Sequence, residues 1–291
     1  MIPQEHLEQD LVSPGHLGCA GCGATPAMRY ALEALGPRTI VVIPACCWSI
    51  ICGPFPHSAL RVPSLHIAFE SAAVTASGVR ASLDMQGVED VTVMAWSGDG
   101  GTFDIGLQAL SGAAERNEDI IYVCYDNEAY MNTGNQRSSA TPDGAWTTTT
   151  PEEKLRPKKN MMAIMAAHGV PYAATVSIAF PDDFIAKMRK AKQIRGTRFI
   201  HALATCPTGW RIPSSQSVKF ARLAVHTKVF PLYEVENGEV FRITVQPKDL
   251  PVGEYLKPQG RFRNLSEERI AEIQDQVDGN WARLERSATL G

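Results

Sequence analysis

The chain has 291 residues and a mass of 31.7 kDa, with 44% hydrophobic and 20% charged residues, which excludes a wholly disordered protein. Its 28 lysines and arginines stand against 31 aspartates and glutamates, so no basic excess exists to bind nucleic acid. The longest apolar stretch, 40–55, is broken by Pro44 and Ser49 and is too short to cross a membrane. The N-terminus lacks the pattern of a secretory signal, so we expect a cytoplasmic protein.

Short apolar runs alternate with longer segments of helical pattern along most of the chain. The runs predict buried parallel strands at 39–43, 91–96, 120–124 and 198–203. The intervening segments predict helices at 27–35, 68–83, 103–115, 161–167, 184–192 and 217–229. This alternation predicts an α/β fold with a doubly wound, mostly parallel sheet. Ligands bind such sheets at the carboxyl ends of the strands, so the loops there should carry the function.

Two segments depart from this pattern. Residues 126–151 have little periodicity and are rich in Asn, Gly, Ser and Thr, which indicates a long functional loop. After residue 230, Asn237-Gly238 predicts a hairpin turn, and a charged helix follows at 266–286. We therefore divide the chain into an α/β domain, 1–230, and a C-terminal hairpin and helix extension, 231–291, which packs on the core or on a partner subunit.

A glycine-rich turn follows the predicted strand at 91–96. In Gly98-Asp99-Gly100-Gly101 the glycines let the backbone approach a phosphate, and the helix that follows favours an anion at its N-terminus. Asp99 offers an oxygen to a divalent cation, and Asn127 ends the next predicted strand 28 residues later (127 − 99). Together with a backbone carbonyl and diphosphate oxygens, they would complete much of a magnesium site. The alternative is a tight turn with an N-cap aspartate.

The chain contains seven cysteines, a number that cannot pair completely within one chain. In a reducing compartment they indicate metal binding or redox chemistry more than disulfides. Cys19 and Cys22 form a Cys-x-x-Cys pair, which is typical of a redox dithiol, a zinc site or an iron–sulfur site.

The motifs resemble those of the β subunit of pyruvate:ferredoxin oxidoreductases and related 2-oxoacid:ferredoxin oxidoreductases. The matching segments are Gly15-His16, 19–23, 98–101, 125–134, 136–138, 145–150 and 206–211. The match extends from Gly15 to the C-terminal helix. The resemblance implies the fold that binds the diphosphate of thiamine diphosphate, with the C-terminal extension as an addition to it.

The resemblance also implies the site residues. It implies that Asp99, Asn127 and the backbone carbonyl of Ala129 bind Mg²⁺, and that a catalytic Asn132 lies near the thiazolium and the substrate. It implies a [4Fe–4S] cluster bound by four cysteines: Cys19, Cys22, Cys47 and Cys206. Cys46 adjoins Cys47 and is the alternative third ligand. The implied thiamine diphosphate-binding residues are Gly98, Asp99, Gly100, Gly101, Asn127, Ala129, Asn132, Thr133 and Cys47.

The implied activity is the thiamine-dependent oxidative decarboxylation of a 2-oxoacid, with electrons passing through the [4Fe–4S] cluster to ferredoxin. Pyruvate is the expected substrate, usually with coenzyme A, and oxalate, phenylglyoxylate and branched-chain 2-oxoacids are alternatives. The implied partners are a pyrimidine-binding α subunit, a ferredoxin-like iron–sulfur subunit and ferredoxin. Rival hypotheses are a non-redox thiamine decarboxylase subunit and a non-enzymatic metal-binding subunit.

Two further interpretations concern charged residues. In this family the glutamate that activates thiamine comes from another subunit, so Glu70, in the predicted helix 68–83, is interpreted as a surface or contact residue. Lys154, Lys158 and Lys159 are interpreted as a solvated charged segment, with a contact to coenzyme A or a neighbouring subunit as the alternative.

Overall fold

The computed structural model describes residues 10–54 and 56–290. In this part of the chain the strands are β1 (Thr39–Pro44), β2 (Ser64–Ile67), β3 (Thr92–Gly98), β4 (Ile121–Asp126), β5 (Tyr172–Ser177), β6 (Arg198–Leu203), β7 (Leu232–Glu236) and β8 (Val240–Val245). The helices are α1 (Ala24–Leu35), α2 (Trp48–Ile51), α3 (Ala72–Met85), α4 (Leu107–Glu115), α5 (Met161–Ala167), α6 (Pro181–Gln193), α7 (Pro207–Trp210), α8 (Ser217–His226), α9 (Gly253–Leu256) and α10 (Glu267–Leu290). A π-helical turn, Gly101–Ile105, precedes α4, and 3-10 turns lie at Ser214–Gln216 and Gly260–Phe262.

The eight strands form one sheet in the order β2-β1-β3-β4-β6-β5-β7-β8. All neighbouring pairs from β2 to β5 in this order are parallel, and β7 and β8 pair in an antiparallel manner at the edge. The prediction of a mostly parallel α/β sheet is confirmed.

Helices cover both faces of the sheet, and the residues of β3 show how the sequence directs this. Successive side chains of a strand point to opposite faces. Met94 and Trp96 accordingly join a core with α1 and α6, whereas Val93 and Ala95 join a core with α3 and α4. Because both faces are buried, the strand reads as a continuous apolar run and not as an alternating one.

Two strands escaped prediction. β2 is an edge strand with Leu65 and His66 exposed, so it carries no apolar run, and β5 is fully buried but built mainly from small residues. The helix predicted at 68–83 begins later, at Ala72, because β2 and a turn precede it. Glu70 lies exposed in that turn, so its assignment to a helix was wrong.

The C-terminal hairpin is confirmed. Asn237 and Gly238 have φ angles of 53° and 73°, and they are the central residues of a β-turn that the Glu239 N–H closes by donating to the Glu236 carbonyl at 3.0 Å. β7 pairs with β5, so the hairpin extends the main sheet, and α9 and α10 contribute to a third core that contains Trp210. The domain boundary at residue 230 stays a prediction.

The predicted functional loop is longer than expected. Between β4 and α5 the chain forms no helix or strand, only isolated bridges at Tyr130–Gln136 and Thr147–Thr150. Within 10–54 and 56–290, no helix combines the length and apolar character needed to cross a membrane. The cytoplasmic location stays a prediction.

Candidate cofactor site

The carboxyl ends of four neighbouring strands meet at one edge of the sheet. β1, β3, β4 and β6 are adjacent and parallel, and their pairing brings Gly98 beside Tyr125 and Asp126 beside Leu203. The loops that follow these strands carry nearly all the predicted site residues, as expected for this topology. Two adjoining cavities lie at this edge.

The first cavity, which we call the glycine-turn cavity, has a volume of about 250 Å³. All nine residues predicted to bind thiamine diphosphate line it: Gly98, Asp99, Gly100, Gly101, Asn127, Ala129, Asn132, Thr133 and Cys47. Cys46, the alternative third cluster ligand, also lines it. The other lining residues, which were not predicted as site residues, are Ala45, Ser49, Phe69, Tyr125, Tyr130 and Met131.

Gly100 is required by close packing and not by an unusual backbone angle. A Cβ atom at this position would overlap the ring of Tyr130. Tyr130 is held in place because its hydroxyl donates a hydrogen bond to Asp104 Oδ2 at 2.8 Å. The ring of Tyr130 therefore packs directly against the backbone of the turn at Gly100.

The side chain of Asn127 lies between two oxygen atoms beside this turn. With its amide nitrogen turned towards them, it donates hydrogen bonds to Asp99 Oδ1 at 3.0 Å and to the carbonyl oxygen of Ala129 at 2.8 Å. A half-turn of the amide would present its oxygen to the same point, and the three oxygens would then surround a bound cation. Carboxylate, amide and carbonyl oxygens are the ligands that Mg²⁺ prefers, so these three residues fit a magnesium ion.

The electrostatics of Asp99 agree with a cation site. Burial and repulsion from Asp126 raise the pKa of Asp99 well above its usual value, although Ser138 Oγ donates a hydrogen bond to its carboxylate. A carboxylate that is this costly to ionise is stabilised when a positive charge binds to it.

Behind this site lies a buried network of charged residues. Lys158 forms ion pairs with Asp126 and with Glu128, the latter at 2.8 Å, and Arg261 pairs with Glu128 at 2.7 Å. His201 Nε2 lies 2.7 Å from Asp126. Burial opposes the ionisation of Asp126, but Lys158 and His201 outweigh it and lower its pKa to about 2.

The three lysines were wrongly interpreted as a solvated segment. Lys158 turns inward to the network, Lys154 is buried and donates to Thr141 O, and Lys159 donates to Phe103 O. Buried acceptors draw these side chains inward, and the local sequence pattern contains no sign of them.

The second cavity, which we call the cysteine cavity, has a volume of about 430 Å³. Cys19, Cys22, Cys47 and Cys206 all line it, as predicted for cluster ligands, whereas Cys46 lines the glycine-turn cavity and not this one. The two cavities share Cys47, Tyr125, Asn127, Met131 and Asn132. This distribution favours Cys47 over Cys46 as the third ligand.

The thiols lie close enough to influence one another. Burial, then repulsion from Cys46, Cys206 and Cys22, raises the pKa of Cys47 to about 12. Burial and the neighbouring Cys206 and Cys19 likewise raise the pKa of Cys22 to about 11. No three His, Cys, Asp or Glu side chains of residues 10–54 and 56–290 form a group suited to a single metal ion.

Several residues of the site escaped sequence reasoning. Ser138 lies in the segment 136–138, which the resemblance covers, so the sequence did offer a reason to place it in the site. Trp210 likewise belongs to the matching segment 206–211. His201 and Arg261 had no such signal, because they reach the site from β6 and the C-terminal segment through tertiary packing.

Comparisons with known proteins agree with this geometry. The family described as thiamine pyrophosphate enzyme, C-terminal TPP binding domain, matches residues 50–202. Pyruvate synthase subunit PorB of Methanothermobacter thermautotrophicus is 54% identical over 277 residues, covering 93% of this chain and 96% of the relative. Ketoisovalerate oxidoreductase subunit VorB of Pyrococcus furiosus is 50% identical over 291 residues, covering 95% of this chain and 93% of the relative.

A solved structure shares the fold. The 2-oxoglutarate:ferredoxin oxidoreductase from Magnetococcus marinus aligns with a TM-score of 0.62 and 20% identity, covering 91% of this chain and 94% of that one.

Proposed function

The chain belongs to the 2-oxoacid:ferredoxin oxidoreductase family of thiamine diphosphate enzymes, and we propose that its site binds Mg²⁺ and one [4Fe–4S] cluster beside thiamine diphosphate. The observation that carries the proposal is the pair of adjoining cavities. One is lined by the nine predicted cofactor-binding residues, the other by the four predicted cysteines, and Cys47, Asn127 and Asn132 line both.

The magnesium proposal is supported by the position of the Asn127 amide, which lies within 3.0 Å of both Asp99 Oδ1 and the carbonyl oxygen of Ala129. Mg²⁺ keeps several ligands that are not from the protein, so the diphosphate and water would complete its octahedron. The ion would also offset the charge of the buried Asp99 carboxylate.

The cluster proposal is supported by the arrangement of the thiols around a cavity. A [4Fe–4S] cluster binds one cysteine at each of its four irons, and four cysteines line this cavity. Three of the four cysteines are partly buried and Cys19 is exposed, so one corner would face the surface or a partner.

When bound, thiamine diphosphate supplies the carbanion for attack on the 2-oxo carbon and accepts the electron pair released with CO₂. This chain's residues would bind the cofactor and orient the substrate. Asp99, Asn127 and Ala129 would hold the metal, and Asn132 would hydrogen-bond the carboxylate or carbonyl of the substrate. The apolar rings of Phe69 and Tyr125 would limit water in the glycine-turn cavity.

We propose that a pyrimidine-binding α subunit completes the site. The one glutamate weighed as a thiamine activator, Glu70, is exposed in a turn. The relatives are named as subunits, which supports a complex of several chains. A ferredoxin-like iron–sulfur subunit and ferredoxin would then receive the electrons.

Pyruvate is the proposed substrate, with coenzyme A as acceptor of the acyl group, because relatives 54% identical are pyruvate synthase subunits. Branched-chain 2-oxoacids are the second candidate, because ketoisovalerate oxidoreductase subunits are 50% identical over a similar length.

Metal analysis of the anaerobically purified complex, followed by a substrate panel, tests these proposals. To separate this chain from an iron–sulfur partner, the complex is compared with one carrying Cys19→Ser and Cys22→Ser. We expect the difference to be about four irons and four sulfides per chain. A difference of one zinc, or none, would contradict the cluster. Higher kcat/KM with 3-methyl-2-oxobutanoate than with pyruvate would overturn the choice of substrate.

A further inference from the structure

We infer that Arg261 and Trp210 are positioning residues that hold the turn 127–129 in its metal-binding shape and join it to the segment of Cys206. The inference rests on the proposed magnesium site. It differs from that proposal because neither side chain is a metal ligand, and because Arg261 comes from the C-terminal segment that the family motifs leave out.

Glu128 is the point of attachment. It lies between two proposed metal ligands, Asn127 and Ala129, and its φ of 71° falls in the left-handed region that non-glycine residues rarely adopt. Its backbone shape sets the directions of the Asn127 side chain and the Ala129 carbonyl. An unfavourable conformation persists only when the surroundings hold it in place.

Three contacts hold Glu128. Its carboxylate lies 2.7 Å from Arg261 Nη2 and 2.8 Å from Lys158 Nζ, and the residue is 3% exposed. Thr141 Oγ1 donates to the Glu128 carbonyl at 2.7 Å. The side chain and the backbone of Glu128 are therefore both held by residues that are distant along the chain.

Trp210 holds the preceding residue. Its indole Nε1–H donates to the carbonyl of Asn127 at 2.9 Å. Its backbone N–H donates to Cys206 O at 2.8 Å, so one residue contacts the turn and a cysteine of the second cavity. The Arg261 guanidinium stacks on the Trp210 ring, with 4.0 Å from Cζ to the ring centroid.

Arg261 is itself fixed. Its Nε donates to Gln259 Oε1 at 2.9 Å, its Nη2 donates to Tyr255 Oη at 3.2 Å, and the residue is 3% exposed. A planar guanidinium can stack and pair at the same time, which the ammonium of lysine cannot do. Lysine at this position would keep the charge but lose the stacking and part of the orientation.

The test uses the complete complex with its partner subunits. Tryptophan fluorescence measures thiamine diphosphate binding as Mg²⁺ is varied, so the readout does not depend on turnover. We expect Arg261→Met to raise the half-saturating Mg²⁺ concentration by about 10–100-fold, the range for residues that orient metal ligands. Arg261→Lys and Trp210→Phe should raise it by about 10-fold or less.

Arg263→Met is the matched control. Arg263 is an exposed arginine two residues away, 6.0 Å from the Trp146 ring centroid, and its loss should leave the Mg²⁺ dependence unchanged. Saturating Mg²⁺ should restore most of kcat in Arg261→Lys. General destabilisation would lower kcat as well and would not raise the Mg²⁺ requirement alone. Arg261→Met should raise the half-saturating Mg²⁺ concentration less in a Glu128→Gln background than in the wild type, because both substitutions act on the same turn.

The inference is overturned if both Arg261 variants bind Mg²⁺ within about twofold of the wild type, or if Arg263→Met weakens binding equally. Full additivity of the Arg261 and Glu128 substitutions would also overturn it. A wild-type complex that binds thiamine diphosphate without any need for Mg²⁺ would instead contradict the proposed magnesium site, and the inference with it.

Discussion

The side chains of Asp99 and Asn127 meet at 3.0 Å although they follow different strands of the sheet. β3 and β4 are parallel neighbours, so their carboxyl ends deliver both residues to the same edge. Ala129 adds a third oxygen from the turn that follows β4. The proposed metal site is thus assembled by topology from residues that are far apart in the chain.

Asp99→Ala should abolish Mg²⁺-dependent binding of thiamine diphosphate by the complex. The substitution removes the charged oxygen of the proposed site, so we expect the half-saturating Mg²⁺ concentration to rise by more than about 100-fold. Asp90→Ala is the control, because Asp90 forms an exposed ion pair with Arg38. If the Asp99→Ala complex stays active with normal Mg²⁺ dependence, either this subunit is non-enzymatic within the complex or its magnesium site uses other residues.

Cys47→Ser and Cys46→Ser should differ in their iron content. Cys47 lines the cysteine cavity and Cys46 does not, so only the first substitution removes a proposed ligand. Electron paramagnetic resonance of the reduced complex should show the cluster signal of this chain lost or altered in Cys47→Ser and kept in Cys46→Ser. The opposite pattern would assign the third ligand to Cys46.

Gly100→Ala should destabilise the protein by about 1–3 kcal/mol, the usual cost of overpacking. The added methyl group would overlap the Tyr130 ring, which its bond to Asp104 holds in place. Gly78→Ala is the matched control, because nothing lies within 4 Å of a Cβ there and the residue is inside α3. That change should stabilise by about 0.5–1 kcal/mol. Urea unfolding of the full chain measures both.

Glu234→Gln should make stability less dependent on pH in the acidic range. Burial opposes the ionisation of Glu234, but hydrogen bonds from Lys190 and Tyr172, each 2.8 Å long, outweigh it and lower its pKa. A lowered carboxyl pKa contributes stability that is complete above the unfolded pKa and is lost as the pH falls through the folded pKa.

We therefore expect Glu234→Gln to destabilise the chain by about 1–2 kcal/mol at pH 7 and by much less below about pH 4. Unfolding by urea at both pH values tests this. Glu239→Gln, in the turn of the same hairpin, is the control. An equal loss at pH 7 and pH 4 would show that Glu234 acts through packing and not through its charge.

The sequence predicted the parallel strands and the site residues on their loops because both signals are local. Apolar runs mark buried strands, and the glycine turn and the cysteines occur in short motifs. β2 and β5 were missed because an exposed edge strand and a strand of small residues lack such runs.

The charged network was missed for a different reason. Lys158 and Arg261 are ordinary polar residues in their local sequence, and only the fold brings them to Glu128. A left-handed φ at a glutamate has no signature in the sequence either. What supports the proposed metal-binding turn is therefore long-range packing, which periodicity and motif spacing do not encode.

The pairing of Glu128 with Arg261 sets an order of events during synthesis. The two residues are 133 positions apart (261 − 128), so the ribosome completes all six parallel strands before Arg261 emerges. A chain that ends between Cys206 and Arg261 contains the glycine turn and the four proposed cluster cysteines but lacks the arginine that contacts Glu128. Cofactor loading in this subunit would then favour finished chains over fragments.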